Sequence, residues 1–540
     1  MSRKADIQAL QNTQFDLLII GGGVTGAGIA LDAATRGLKV ALVEKSDYAS
    51  GTSSKSTKLI HGGLRYLKQF EISLVREVGR ERAIVHDIAP HLVRPKKMLL
   101  PITQDGSFSK FTTGIALWVY DYLAGVKGQD KRKMLNKEET ERKEPLLEKT
   151  KLKAGGYYAE YRTDDARLTL ALLHTARDNG AICQNYVAAK KFIYDDNHII
   201  NGLIAIDNEK NQEFTIRAHH IVNATGPWVD ELRELDNTAA DDRLFLSKGI
   251  HIVLPHNRLP VQQALYFDVG DKRMIFAIPR LECTYIGTTD TEYVDDLDEI
   301  HILKEEVAYL LAATNKMFPS AQLTISDVQS SWAGLRPLIR EKGKSAGEIS
   351  RKDELFIANS GLINIAGGKL TGYRKMAEKV VDKVLQSSKG TFLPIQTENL
   401  LLKGAPPHGE KGIKSLYESL NQKIKTLKLP SITATYLLEN YGTDAHQILD
   451  TITEFTPENE VNLALVRAEA KYCIEKEQAR TLLDFYSRRT GRLYFNIDSI
   501  EKSKDIILQD FACALDLDAF SQMQQIEALQ AAVETATCFS

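Results

Sequence analysis

The stretch FDLLIIGGGVTGAGIALDAATRGLKVALVEK, residues 15–45, decides the architecture. FDLLII is an apolar run of strand length, and GGGVTGAG follows it at once. IALDAATRG then reads as a helix stopping at Gly37, and KVALVEK as a second strand ending near Glu44. The spacing predicts a βαβ unit with G-x-G-x-x-G at Gly21, Gly23 and Gly26 and an acid at the tip of the second strand. Gly21 allows a tight turn, Gly23 lets a pyrophosphate approach the backbone, and Gly26 lets helix and strand pack closely. The helix start, with Val24 and Thr25, offers unpaired N–H groups and a positive dipole end to phosphates. Glu44, followed by Lys45, can accept hydrogen bonds from ribose hydroxyls. This unit alone does not separate NAD from FAD. No second such glycine pattern occurs that would seat a nicotinamide to reduce a flavin. GGKLTG (367–372) lacks the leading glycine of a P-loop and has Leu370 where Ser or Thr belongs.

Outward from this unit, 540 residues are too many for one ordinary core and call for two or three domains. With 69 basic and 71 acidic residues the net charge is −2, so nothing calls for nucleic acid. Five cysteines without a CxxC argue for a reduced, cytoplasmic chain, and the twelve histidines form no HExxH or Cys/His cluster, so no metal is expected. The polar start, MSRKADIQALQNTQ, shows no secretory signal. The most apolar stretch, 111–124, carries Asp121 and falls short of the ~20 apolar residues that span a bilayer.

KSDYASGTSSKSTKLIHGGLRYL (45–67) comes next, and further motifs lie far apart: VNATGPWVD (222–230), SKGIHIVL (247–254), IGTTDT (286–291), SWAGLRPL (331–338), EISRKDEL (348–355), GGKLTGYRKMAE (367–378) and LLDFYSRRTGRLYF (482–495). In this order they resemble the FAD-dependent glycerol-3-phosphate dehydrogenases, within the flavoproteins that include D-amino-acid oxidase. The resemblance implies an α/β fold: a Rossmann-like FAD-binding domain, a mixed-sheet substrate domain and a C-terminal helical cap domain. It implies oxidation of sn-glycerol 3-phosphate to dihydroxyacetone phosphate by hydride transfer from C2 to flavin N5, with electrons passed to a quinone. Two alternatives stay open: an oxidase that uses oxygen and makes peroxide, and an amino-acid or amine oxidase on the same fold.

For noncovalent FAD, the resemblance points to Ser50, Thr52, Ser53 and Ser54 as hydroxyl contacts. His61, Gly62 and Gly63 would approach the isoalloxazine, Val187 the adenine end, and Gly226 a second pass of the chain along the cofactor. Gly368, Lys369, Leu370 and Thr371 open a helix whose N-terminus would face the flavin, favouring its reduced, anionic form. Substrate phosphate needs cations, and arginine binds phosphate bidentately. Arg65, Arg336, Arg351 and Lys369 lie in matched motifs, with Tyr66 as a further substrate contact. His251 aligns with the family's active-site histidine. At an unperturbed pKa of about 6.5 it is the first choice of base for the C2 hydroxyl proton, with Arg336 on phosphate or the developing alkoxide and Lys369 as added charge.

Motif positions suggest a discontinuous FAD-binding domain at 14–80, 155–240 and 345–390. Segments 81–154 and 241–344 would build the substrate domain, and amphipathic helices fill 400–540 as a structural or oligomer-forming cap, compatible with a homodimer. Residues 111–124, with Lys127, Lys131, Arg132 and Lys133 behind them, suit a segment lying in a membrane surface, and equally a buried helix. With the family's use of quinone, this predicts a peripheral protein on the cytoplasmic face of the membrane.

Overall fold

The computed structural model describes residues 3–60, 72–104, 106, 113–114, 131–236, 243–270, 273–341, 352–388, 390–456 and 460–540. Gln14–Ile20 forms a strand paired in parallel with Val40–Val43 on one side and Gln212–Asn223 on the other. Beyond these lie Ile182–Gln184, parallel to Val40–Val43, and Ile363–Gly367, parallel to the end of Gln212–Asn223. All four residues of Val40–Val43 are buried, as the continuous apolar run VALV requires of a strand covered on both faces. One face is covered by the helices Val24–Thr35, Asp165–Asp178 and Tyr373–Ser387, whose Ile29, Leu168, Met376, Val380 and Val384 share one core with Leu17, Ile19 and Leu42. Close packing at the first turn is literal. A Cβ on Gly26 would stand 1.9 Å from the Gly21 carbonyl oxygen, and Gly21 itself has φ +116°, a conformation other residues rarely adopt.

Among the described residues the second sheet has ten strands of mixed direction. At its centre Leu244–Pro255 runs antiparallel to Ser330–Ile339 and to Cys283–Gly287. Its register sets His251 opposite Trp332, Gly249 opposite Gly334 and Ser247 opposite Arg336. Side chains two apart on a strand share a face, so these three pairs form one ladder with a gap in the middle.

After residue 400 the chain is helical. The spacing predicts helices over 415–427, 434–442, 462–479 and 526–536, and the structure has Gly409–Thr426, Ile432–Tyr441, Val461–Glu477 and Ala519–Thr537. These do not stand apart. Leu437, Phe485 and Phe511 share a core with Tyr285 and Trp332 of the second sheet. A π-helical turn, Asp484–Arg489, delivers two arginines to the loop behind the first sheet's acid. Arg489 donates from Nη1 and Nη2 to the two carboxylate oxygens of Asp47 at 2.6 and 2.8 Å, and Arg488 Nε donates to the same group. Asp47, Arg488 and Arg489 are all buried.

Burial opposes the Asp47 charge, but the two guanidiniums outweigh it and hold the carboxyl well below the usual carboxylate range. A depressed folded-state pKa gives stability that is present above the unfolded value of about 3.9 and lost only as pH falls through the folded one. Asp47→Ala takes from the buried Arg489 its two-pronged partner, leaving Glu477 at 3.8 Å, and from Arg488 one of two carboxylates, Asp484 remaining at 2.7 Å. Thermal unfolding at pH 7 is expected to show a loss of about 3–5 kcal/mol.

Candidate active site

The two sheets meet across a cavity of about 860 Å³. From the first sheet it receives the turn with Gly21, Gly23, Val24 and Thr25, and the loop with Glu44 and Lys45. The Glu44 carboxylate accepts the backbone N–H of Gly22 at 2.7 Å and that of Ser46 at 3.0 Å, so the acid braces the glycine turn. Burial raises its pKa, and the two N–H donors oppose that. Lys45 pairs with Asp298 at 2.9 Å and lies over the Trp228 ring.

The crossing segment 50–60 joins the sheets. Ser53 Oγ accepts the Val24 N–H at 2.9 Å, Thr52 Oγ1 donates to the Leu335 carbonyl at 2.6 Å, and the buried Lys58 ion-pairs with Asp165. Ser50, Thr52 and Ser53 line the cavity. Ser54 does not. Its side chain is buried and its carbonyl accepts Lys58 Nζ at 3.0 Å, because the short 3₁₀ turn Thr52–Ser54 rotates it away. Gly226, Gly368, Lys369, Leu370 and Thr371 also line the cavity. Leu370–Gly372 is a 3₁₀ turn, and the α-helix begins only at Tyr373.

The second sheet contributes the ladder. A Cβ on Gly249 would meet Arg336 Nη2 at 2.1 Å, and one on Gly334 would meet the Lys55 carbonyl oxygen at 2.4 Å. The paired glycines thus make room for the guanidinium on one strand and for the crossing segment on the other. Arg336 donates to Thr288 Oγ1 at 2.9 Å and to Ser247 Oγ and Asp290 Oδ1, each at 3.3 Å. Ser247 in turn donates to Asp290.

His251 lines the cavity, stacks on Trp332 with centroids 4.8 Å apart, and shares a hydrogen bond between Nε2 and Thr57 Oγ1 at 2.9 Å. Its Nδ1 is buried with no hydrogen-bond partner among the described residues. Desolvation, then Arg336 and Lys58, holds the imidazole pKa well below its ordinary value. The imidazole thus departs from the unperturbed value of about 6.5 expected of it, in the direction that favours the neutral form.

Two other expected contacts fall elsewhere. Val187 is fully buried in the core, and its N–H is spent on the Glu44 carbonyl at 2.8 Å. Ala188 and Ala189 line the cavity in its place. The strand expected across CQNYVAAK is broken at Tyr186, which has φ +56°. Gly26 lies beneath the glycine turn. His61, Gly62, Gly63, Arg65, Tyr66 and Arg351, and nearly all of the apolar segment 111–124, lie outside the described residues. Lys55, Thr57 and Asp290 sit inside motifs already quoted, but only the fold, which brings Lys55 and Thr57 to the cavity and Asp290 to Arg336, distinguishes them from their neighbours.

A glycine turn and a buried acid at the second strand, facing a ladder that brings Arg336 and His251 to the same cavity, define a dinucleotide-binding protein of the redox class. Residues 16–374 match the family model described as FAD dependent oxidoreductase, and residues 395–520 match the C-terminal domain of alpha-glycerophosphate oxidase. An aerobic glycerol-3-phosphate dehydrogenase of Staphylococcus aureus (strain USA300) is 46% identical over 533 residues, covering 98% of this chain and 95% of the relative. The solved structure of a glycerol-3-phosphate dehydrogenase from Bacillus halodurans complexed with FAD is 42% identical, with TM-score 0.85, over 100% of this chain and 98% of that one. An L-alpha-glycerophosphate oxidase from Mycoplasma pneumoniae shares the fold at 20% identity and TM-score 0.55, over 72% of this chain and 98% of that one. The chain is a member of the FAD-dependent glycerol-3-phosphate dehydrogenase family.

The residues present fit such a cofactor. The turn at Gly23 is open to the cavity, Glu44 is placed by backbone donors, and the His251 Nδ1 is left without a partner. Glu44→Ala removes the brace of the turn. Hydrogen bonds to a charged group are worth about 1.5–3 kcal/mol, so FAD retention, read as flavin absorbance after gel filtration, is expected to fall sharply while the protein stays folded.

Proposed function

We propose that this protein oxidises sn-glycerol 3-phosphate to dihydroxyacetone phosphate, with noncovalently bound FAD as first acceptor and a quinone as the next. The observation that carries this is the meeting of Arg336, His251 and Lys369 with the glycine turn around one cavity. The names of the full-length relatives support the substrate. Bound FAD supplies the two-electron acceptor for the hydride that leaves C2.

The chain's own residues do the rest. Arg336, fixed by Thr288, Ser247 and Asp290, presents a fork suited to a phosphate or alkoxide oxygen. His251 receives the C2 hydroxyl proton. Its Nε2 shares a hydrogen bond with Thr57 and its Nδ1 has no partner among the described residues. Burial, Arg336 and Lys58 make it a weak base in the resting cavity. A dianionic phosphate beside Arg336 offsets that cationic field, so substrate binding itself raises the basicity of the imidazole. Lys369 adds positive charge at the same wall. Trp332 and Thr57 fix the ring.

The match of residues 395–520 to an oxidase's C-terminal domain favours one second reading, oxygen as acceptor. An amino-acid oxidase would need a carboxylate clamp. Among the described residues no helix is long and apolar enough to cross a membrane. The proposed peripheral site, on the cytoplasmic face, rests on the sequence of 111–133. The same proposal takes segments 14–80, 155–240 and 345–390 as the FAD-binding domain.

Anaerobic mixing with glycerol 3-phosphate is expected to bleach the yellow flavin band. Quinone then restores it, and stoichiometric peroxide in air would instead identify an oxidase. Bleaching by an amino acid and not by glycerol 3-phosphate would overturn the proposal. His251→Asn is expected to slow bleaching by about 10²–10⁴-fold with FAD retained. Arg336→Lys, which keeps the charge and loses the fork, is expected to raise the half-saturating substrate concentration.

A further inference from the structure

Lys55 lines the same cavity, and its ammonium has neither a hydrogen bond nor an ion pair among the described residues. Every other described cation on that wall is engaged. Lys45 is held by Asp298, Arg336 by Asp290, and Lys369 also has a partner. The backbone of Lys55 is fixed: its N–H donates to the Thr52 carbonyl at 3.1 Å and its carbonyl is pressed against Gly334. The side chain is therefore presented from a rigid turn, two residues beyond the Ser53 hydroxyl that accepts the Val24 N–H.

The turn that carries Lys55 lies against the glycine-turn wall: a Cβ on Gly23 would stand 3.1 Å from Ser53 Oγ, and one on Gly51 would stand 2.8 Å from the Trp228 ring that Lys45 covers. Burial and Arg488 push the Lys55 ammonium down to about 8, and Asp298 pulls the other way. Asp298 belongs with Lys45, beside the acid of the glycine-turn unit, and Arg488 stands on Asp47 just behind it. Lys55 thus stands between the ladder, which its backbone meets at Gly334, and the glycine turn, which its own segment reaches through Ser53. An unpaired cation there, beside a helix start and an open glycine turn, lacks only an anion.

We propose that Lys55 is a phosphate-binding residue, its ammonium the counter-charge of the cofactor's diphosphate at the turn Gly21–Val24. This rests on the FAD assignment. A glycerol phosphate shares the same chemistry, so the test separates the two sources.

The experiment compares holoprotein of the wild type, Lys55→Met and Lys55→Arg. Met keeps the alkyl stem without charge, and Arg keeps the charge. Free FAD is read by flavin fluorescence in the filtrate of diluted holoprotein. Lys55→Met is expected to loosen FAD about 10- to 100-fold, the range for a lost hydrogen bond to a charged group, and Lys55→Arg to hold it near wild type. Equal retention in all three overturns the proposal, and so does equal loss in both variants, which marks packing. Unchanged FAD retention with a raised half-saturating glycerol 3-phosphate concentration assigns the cation to the substrate and also overturns it. Lys55→Gln replaces Lys55→Met should thermal unfolding show that the latter does not fold. A wild-type holoprotein that glycerol 3-phosphate fails to bleach refutes the proposed reaction while leaving the FAD comparison intact.

Discussion

The cavity depends on how one segment, residues 50–60, is pinned between two sheets. Its hydroxyls and backbone are satisfied on both sides: Ser53 by the helix start after the glycine turn, Thr52 by the Leu335 carbonyl, Thr57 by His251. The ion pair of Lys58 with Asp165 closes its far end. Buried polar groups are costly unless paired. A segment whose partners lie on two separate sheets therefore fixes those sheets relative to each other. The glycine turn and the ladder that carries His251 and Arg336 are held at one distance because this strap cannot satisfy itself otherwise.

The C-terminal helices tighten the same junction from behind. Arg488 and Arg489 grip Asp47, and Arg167 of the helix Asp165–Asp178 makes a two-pronged pair with Glu477 at 2.7 Å. Phe495 and Tyr494 back Trp332, the ring on which His251 stacks. Buried pairs of this kind add little net stability compared with apolar packing, yet removing one partner is expensive. Their effect is to give the terminal domain one docking geometry. Through it, residues of the terminal domain back Trp332 and the His251 ring stacked on it.

Much of the first sheet was legible in the sequence because its signals are local. The run FDLLII, the glycine spacing and the apolar positions Met376, Ala377, Val380, Val381 and Val384 each declare an element by period alone, and all five of those helix residues are buried. The ladder was legible only through resemblance. Which residue stands opposite His251 is set by cross-strand register, and nothing near position 251 encodes Trp332 or the Gly249–Gly334 gap. Ser54 and Val187 went astray for a related reason: a one-residue rotation at a 3₁₀ turn, and a left-handed Tyr186, carry no composition signal. The grip of Arg488 on Asp47 spans 441 residues and was out of reach of any local pattern.

Because the strap ties the two sheets, a substitution on the second sheet is predicted to change how the first sheet holds its cofactor. Gly334→Ala tests it most directly, since its Cβ would stand 2.4 Å from the Lys55 carbonyl. Flavin retention and anaerobic bleaching by glycerol 3-phosphate are measured on the same folded sample. Both are predicted to fall together. FAD held as tightly as in the wild type, with only the bleaching rate changed, would contradict the account.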